Sequence, residues 1–174
     1  MIEITASFDY VLRIETKIES ANFEKPPNLT MVYDPGSGTT CISKEVADIA
    51  GYKVYPLPTG EEVIGIGGEI EPGYTIIPNL ILGGVSLGPV YVHVIEFHAK
   101  LAQRTSALIG MNVLSWFKIT QDCNWNDDLG RHTTATLKFE PKFDINDIPS
   151  IDRFFHNKRG KRFGTAFFID KSTI

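Results

Sequence analysis

The regular segments of this sequence are short, and glycine or proline closes most of them. Residues 7–19 alternate apolar and polar side chains through Tyr10, Leu12, Ile14, Thr16 and Ile18, the period of a strand. Residues 29–33, 54–57, 62–66 and 133–139 read as further strands, with Thr59-Gly60 as a turn. Residues 74–82 and 89–97, joined through Gly83-Gly84 and Gly88, read as a strand pair. One helix is signalled clearly. Ser43 can cap residues 44–50, Glu45 falls in the first turn, and Gly51 stands just past the end. Residues 108–119 mix a strand, a glycine and a turn or short helix. Such a chain is expected to be all-β, a barrel or sandwich with one or two short helices.

Length and composition narrow the setting. A chain of 174 residues suits one domain with an appendage. At 43% hydrophobic and 22% charged residues it is not disordered. A formal net charge of -4 gives no basic field for nucleic acid. The cluster Lys158-Arg159-Gly160-Lys161-Arg162 then reads as a solvated loop. No apolar run is long enough for a membrane span, and none near Met1 resembles a signal peptide. Two cysteines far apart, Cys41 and Cys123, argue against a disulfide framework and for a reducing, cytoplasmic home. His93 and His98 are five apart on a strand-like segment, on opposite faces, so no metal and no cofactor is expected.

The chemistry concentrates in residues 29–42. An apolar strand runs into Asp34, then into the small residues Gly36, Ser37 and Gly38, then to a second apolar position at Ile42. A carboxylate at the end of a buried strand is costly to ionise unless donors surround it. A turn of small residues leaves backbone amides free to point at it, which is how a site tunes an acid. Cys41 lies in an apolar strand with no base near it in sequence, and reads as buried structure.

This tract resembles the active-site loop of retropepsin-like aspartic peptidases: apolar residues, Asp-Thr/Ser-Gly-Ala/Ser, and an apolar residue eight positions after the Asp. Asp34, Gly36, Ser37 and Ile42 match. Residues 107–114, Ala-Leu-Ile-Gly-Met-Asn-Val-Leu, resemble the family's second segment, a strand passing behind the loop. Residues 63–69, Val-Ile-Gly-Ile-Gly-Gly-Glu, resemble its glycine-rich flap. The resemblance implies a single-lobed retropepsin-like acid-protease barrel over residues 1–140 and a C-terminal extension over 141–174 that packs on the barrel or on a partner chain. It implies Asp34 as the catalytic acid, with Gly36, Ser37, Ile66, Gly67 and Gly68 contacting a peptide or protein substrate. One chain carries one such Asp, so activity implies a homodimer with two Asp34 residues meeting on the axis.

Two departures stand out. The family has Thr or Ser after the Asp, whose hydroxyl braces the dimer; this chain has Pro35, with neither hydroxyl nor backbone N–H. Met111 and Gly38 also stand where several viral members carry an Arg and its acidic partner. The alternative reading is therefore a catalytically inactive module for peptide binding or assembly.

Overall fold

The computed structural model describes residues 1–9, 11–63, 71–97, 105–126 and 131–142. Twelve strands in these residues belong to one sheet. Its path begins with the hairpin of β11 (Phe117–Asn126) and β12 (Arg131–Pro141), then runs through β1 (Ile2–Asp9), β2 (Val11–Ile18) and β3 (Asn28–Tyr33). It continues through β10 (Ala107–Ile109), β4 (Cys41–Ser43), β9 (Val90–Ile95), β6 (Gly73–Ile77) and β5 (Tyr55–Pro56). β7 (Leu80–Leu82) pairs with β2 and with β8 (Val85–Ser86) off this path. Among the described residues the path does not return to its first strand, so the sheet is not closed into a barrel, while the expected all-β class with two short helices holds.

The helix expected at 44–50 is α1 (Lys44–Ala50). The Ser43 side chain accepts from the Val46 amide, and Gly51 adopts a left-handed conformation beyond the end. The second helix, α2 (Met111–Leu114), is a single turn following Gly110.

Three expected strands differ. Residues 7–19 are not one strand, because the chain reverses between β1 and β2, where Asp9 pairs with Val11. No glycine or proline marks this reversal, and apolar residues keep their even-numbered places across it, from Phe8 through Tyr10 to Leu12. Residues 74–82 are divided at Pro78. A proline has no N–H to give to a ladder, so β6 ends at Ile77 and β7 turns to β2 instead. The expected pairing of the two segments survives as β6 against β9, from Gly73↔Val94 to Ile77↔Val90. Glu62 and Val63 lie outside any strand, and the rest of 62–66 falls outside the described residues, as does the C-terminal extension past residue 142.

Alternation along the strands sorts side chains onto two faces. Ile2, Ile4, Ala6, Ile14, Met31, Ile42, Val92, Leu137 and Phe139 join one large core. The opposite face is smaller and holds Val32, Cys41, Ile95, Phe97 and Leu108, with Val63 against them. Phe139 is fully buried and meets Phe117 edge-on, ring centres 5.6 Å apart. Truncating it should leave a void costing about 3–5 kcal/mol, read by urea denaturation. Ile49→Ala, at a side chain 55% exposed, should cost under about 1 kcal/mol in the same assay.

Candidate active site

β3 delivers the chain into residues 34–40, and β4 takes it up again at Cys41. These strands are not neighbours. β10 lies between them, parallel to β3 (Leu108↔Val32) and antiparallel to β4 (Leu108↔Cys41). The loop between β3 and β4 therefore spans the end of β10, and the chain leaving β10 runs into it. Asp34 donates its amide to the Ile109 carbonyl at 3.1 Å. The amides of Met111 and Asn112 donate to the carbonyls of Ser37 and Gly38, at 2.8 and 3.1 Å.

Gly110 is the point of closest approach. A Cβ there would sit 2.6 Å from the Thr39 carbonyl carbon and 2.9 Å from the Ser37 oxygen, both backbone atoms. Glycine at this position is a packing requirement; its φ is an ordinary -107°.

One polar network locks this crossing. Thr40 and Asn112 are both buried. Asn112 Oδ1 accepts from the Thr40 amide and from its hydroxyl, each at 2.7 Å. The same hydroxyl accepts from the Gly110 amide at 3.1 Å. Asn112 Nδ2 donates to the Tyr91 carbonyl of β9 at 2.8 Å. One carboxamide thus joins the loop, the turn after β10, and β9. Asn112 belongs to the motif at 107–114, while Thr40 carries no sequence signal of its own.

Asp34 itself is half-buried. Its Oδ1 accepts from the Gly36 amide at 3.0 Å, and its carbonyl accepts from the Ser37 amide at 3.2 Å. Gly36 also leaves the carboxylate room, since a Cβ there would lie 3.1 Å from Oδ1. The Ser37 hydroxyl turns away and donates to the Thr39 carbonyl at 2.7 Å. Pro35 is exposed. Asp34, Gly36 and Ser37 thus share one turn, while Ile66, Gly67 and Gly68 lie outside the described residues. His98 does too, and His93 lies beside Glu61, a juxtaposition without a sequence signal. Cys41 is buried, and burial together with the nearby Asp34 charge pushes its thiol up to about 12. A thiol that keeps its proton is a poor nucleophile.

An acid held by backbone donors at the end of a buried strand, with a glycine-ended strand crossing behind it, is the arrangement of an aspartic-peptidase lobe. A family model described as aspartyl protease matches residues 20–113, more than half of the 174 residues, and the chain belongs to this family. No curated protein matches the chain. Among solved structures, a retropepsin-like aspartic protease from Rickettsia conorii is similar, at 16% identity and a TM-score of 0.47, over 78% of this chain and 89% of that one. Among the described residues, no helix is long and apolar enough to cross a membrane.

Two outcomes are expected. Asn112→Ala should cost about 3 kcal/mol or more in urea denaturation, because it strands the buried Thr40 donors and the Tyr91 carbonyl. Cys41 should resist iodoacetamide in the native protein near pH 8 while half-buried Cys123 reacts, as peptide mass mapping would show. The Cys41 thiol is raised, so the folded state keeps its proton where the unfolded state loses it. Its contribution to stability is therefore full below the ordinary thiol range and fades as pH climbs toward about 12.

Proposed function

We propose that the protein is an aspartic endopeptidase, active as a homodimer in which two Asp34 residues share one proton. The observation that carries this reading is the seating of Asp34. It stands at the end of β3, bonded by Gly36 and reached by the β10 crossing, with its carboxylate half-open to solvent. Two carboxylates at close range cannot both ionise. The ionised one takes a proton from a water, and the protonated one polarises the scissile carbonyl. The water attacks, the amide nitrogen leaves with a proton, and no covalent intermediate with the enzyme forms. Gly36 and Ser37 border the substrate on this reading. Free Cys41 and Cys123 are in keeping with a reducing, cytoplasmic setting.

Pro35 favours a second reading, an inactive module that binds peptide or assembles. It leaves the loop without the hydroxyl and the amide that brace two family protomers across their axis.

Digestion of a peptide library across about pH 4–7 separates the two. Cleavage that is lost in Asp34→Asn supports the peptidase; equal traces from both proteins would refute it. Sedimentation at high concentration gives an independent result, since a strictly monomeric protein has no second Asp34. Pro35→Thr should strengthen self-association by restoring the brace, by roughly thirtyfold in dimer affinity for two neutral hydrogen bonds, one per protomer, at about 1 kcal/mol each.

A further inference from the structure

Six large apolar side chains stay exposed among the described residues: Met1, Phe8, Val11, Phe23, Ile49 and Met111. They sort to the two ends of the sheet. β3 and β10 run toward the Asp34 end, and β2 sets out from it. Met1 precedes β1 and lies at the far end, with Phe23 in the loop from β2 to β3. Ile49 is there too, since the Asn22 side chain of that loop donates to its carbonyl at 2.9 Å. Phe8, Val11 and Met111 belong to the Asp34 end.

Val11 and Met111 flank the Asp34 loop from opposite sides. β2 pairs with β3 as far as Arg13↔Val32, and that register, carried two places further, brings Val11 level with Asp34. Met111 arrives from β10. Its amide donates to the Ser37 carbonyl at 2.8 Å, while its side chain is 39% exposed and that of Val11 37%. Pro35, Gly36 and Gly38 of the loop are exposed as well. None of these five residues carries a charge. At Gly38 and Met111, where several viral members of the family carry an ion pair, this chain has only a hydrogen and a thioether.

We infer that Val11 and Met111 form an apolar seam around the Asp34 loop on which a second copy of this chain docks. The seam rests on the homodimer proposed above, because two Asp34 carboxylates close enough to share a proton bring the exposed residues beside each loop against the partner. A two-fold axis sets each residue near it against the same residue or a close neighbour of the other copy. Like charges there repel, whereas uncharged apolar groups gain by leaving water. The seam works without the hydroxyl that Pro35 lacks and without an ion pair, so salt does not loosen it.

Sedimentation equilibrium of the full chain gives the dimer dissociation constant without reference to cleavage. Met111→Ala should weaken the dimer about tenfold, since two side chains leave the seam in each dimer. Met111→Glu and Val11→Glu should each weaken it about a hundredfold or more by placing two like charges near the axis. Ile49→Glu, the same kind of change at the far end, should stay within about twofold. The native dimer should hold its affinity within about twofold from about 0.05 to about 0.5 M NaCl. A native chain that stays monomeric, an undiminished dimer in either Met111→Glu or Val11→Glu, or equal weakening by Ile49→Glu would overturn the seam. If a glutamate variant does not fold, as urea denaturation would show, the Met111→Ala result decides. An undiminished dimer whose cleavage still requires Asp34 would remove the seam and leave the peptidase reading. A dimer that loosens as expected, but cleaves no differently in Asp34→Asn, would do the reverse.

Discussion

The carboxamide of Asn112 is the point on which the site depends. It takes two hydrogen bonds from Thr40 and gives one to the Tyr91 carbonyl, all in buried surroundings. Each bond is worth about 1 kcal/mol net, and losing a partner costs more because a buried group is left unpaired. Its geometric effect exceeds its energy. β3, β10, β4 and β9 are held together along one line, and the loop from Asp34 to Thr40 has fixed ends. Gly110 makes the approach possible, since a methyl group there would strike the Thr39 backbone. Asp34 is thus positioned mainly by backbone groups, which cannot change rotamer.

What could be read from the sequence followed from how locally each feature is encoded. α1 was legible because Ser43, Glu45 and Gly51 state its start and stop within nine residues. The Asp34 loop and the 107–114 segment were legible as motifs, and the β10 crossing joins them. The Thr40–Asn112 network was not, because its partners are 72 residues apart and each is unremarkable alone. The β1–β2 reversal was hidden for another reason. Alternation of two reports which face a side chain takes, not which way the chain runs, and the even-numbered apolar places continue from Phe8 through Tyr10 to Leu12 across the reversal. Pro78 was the opposite case: its lack of a donor is a local signal that outweighs the apolar run around it. The Glu61–His93 approach depends on a turn and a sheet register together, so neither residue signals it alone.

The two faces of the sheet have different work. One is swallowed by the large core, where Phe139, Ile14 and Met31 are fully buried. The other carries only a small apolar cluster and then grades into tyrosines, His93 and Glu61. Asp34 and Cys41 lie at the junction, and the thiol registers both the apolar surroundings and the carboxylate charge.

Pro35 changes how such a loop can be held. A Thr or Ser there would offer a hydroxyl and an amide; proline offers neither, and its ring fixes φ near -65°. The bonds that remain come from within the chain: Gly36 and Ser37 to Asp34, Met111 to Ser37, Asn112 to Gly38 and Thr40. The loop is therefore ordered before any partner arrives. A preordered loop loses less entropy on association than one that must be fixed by the contact itself. On the peptidase reading proposed above, that offsets part of what Pro35 removes, and a second carboxylate is still required.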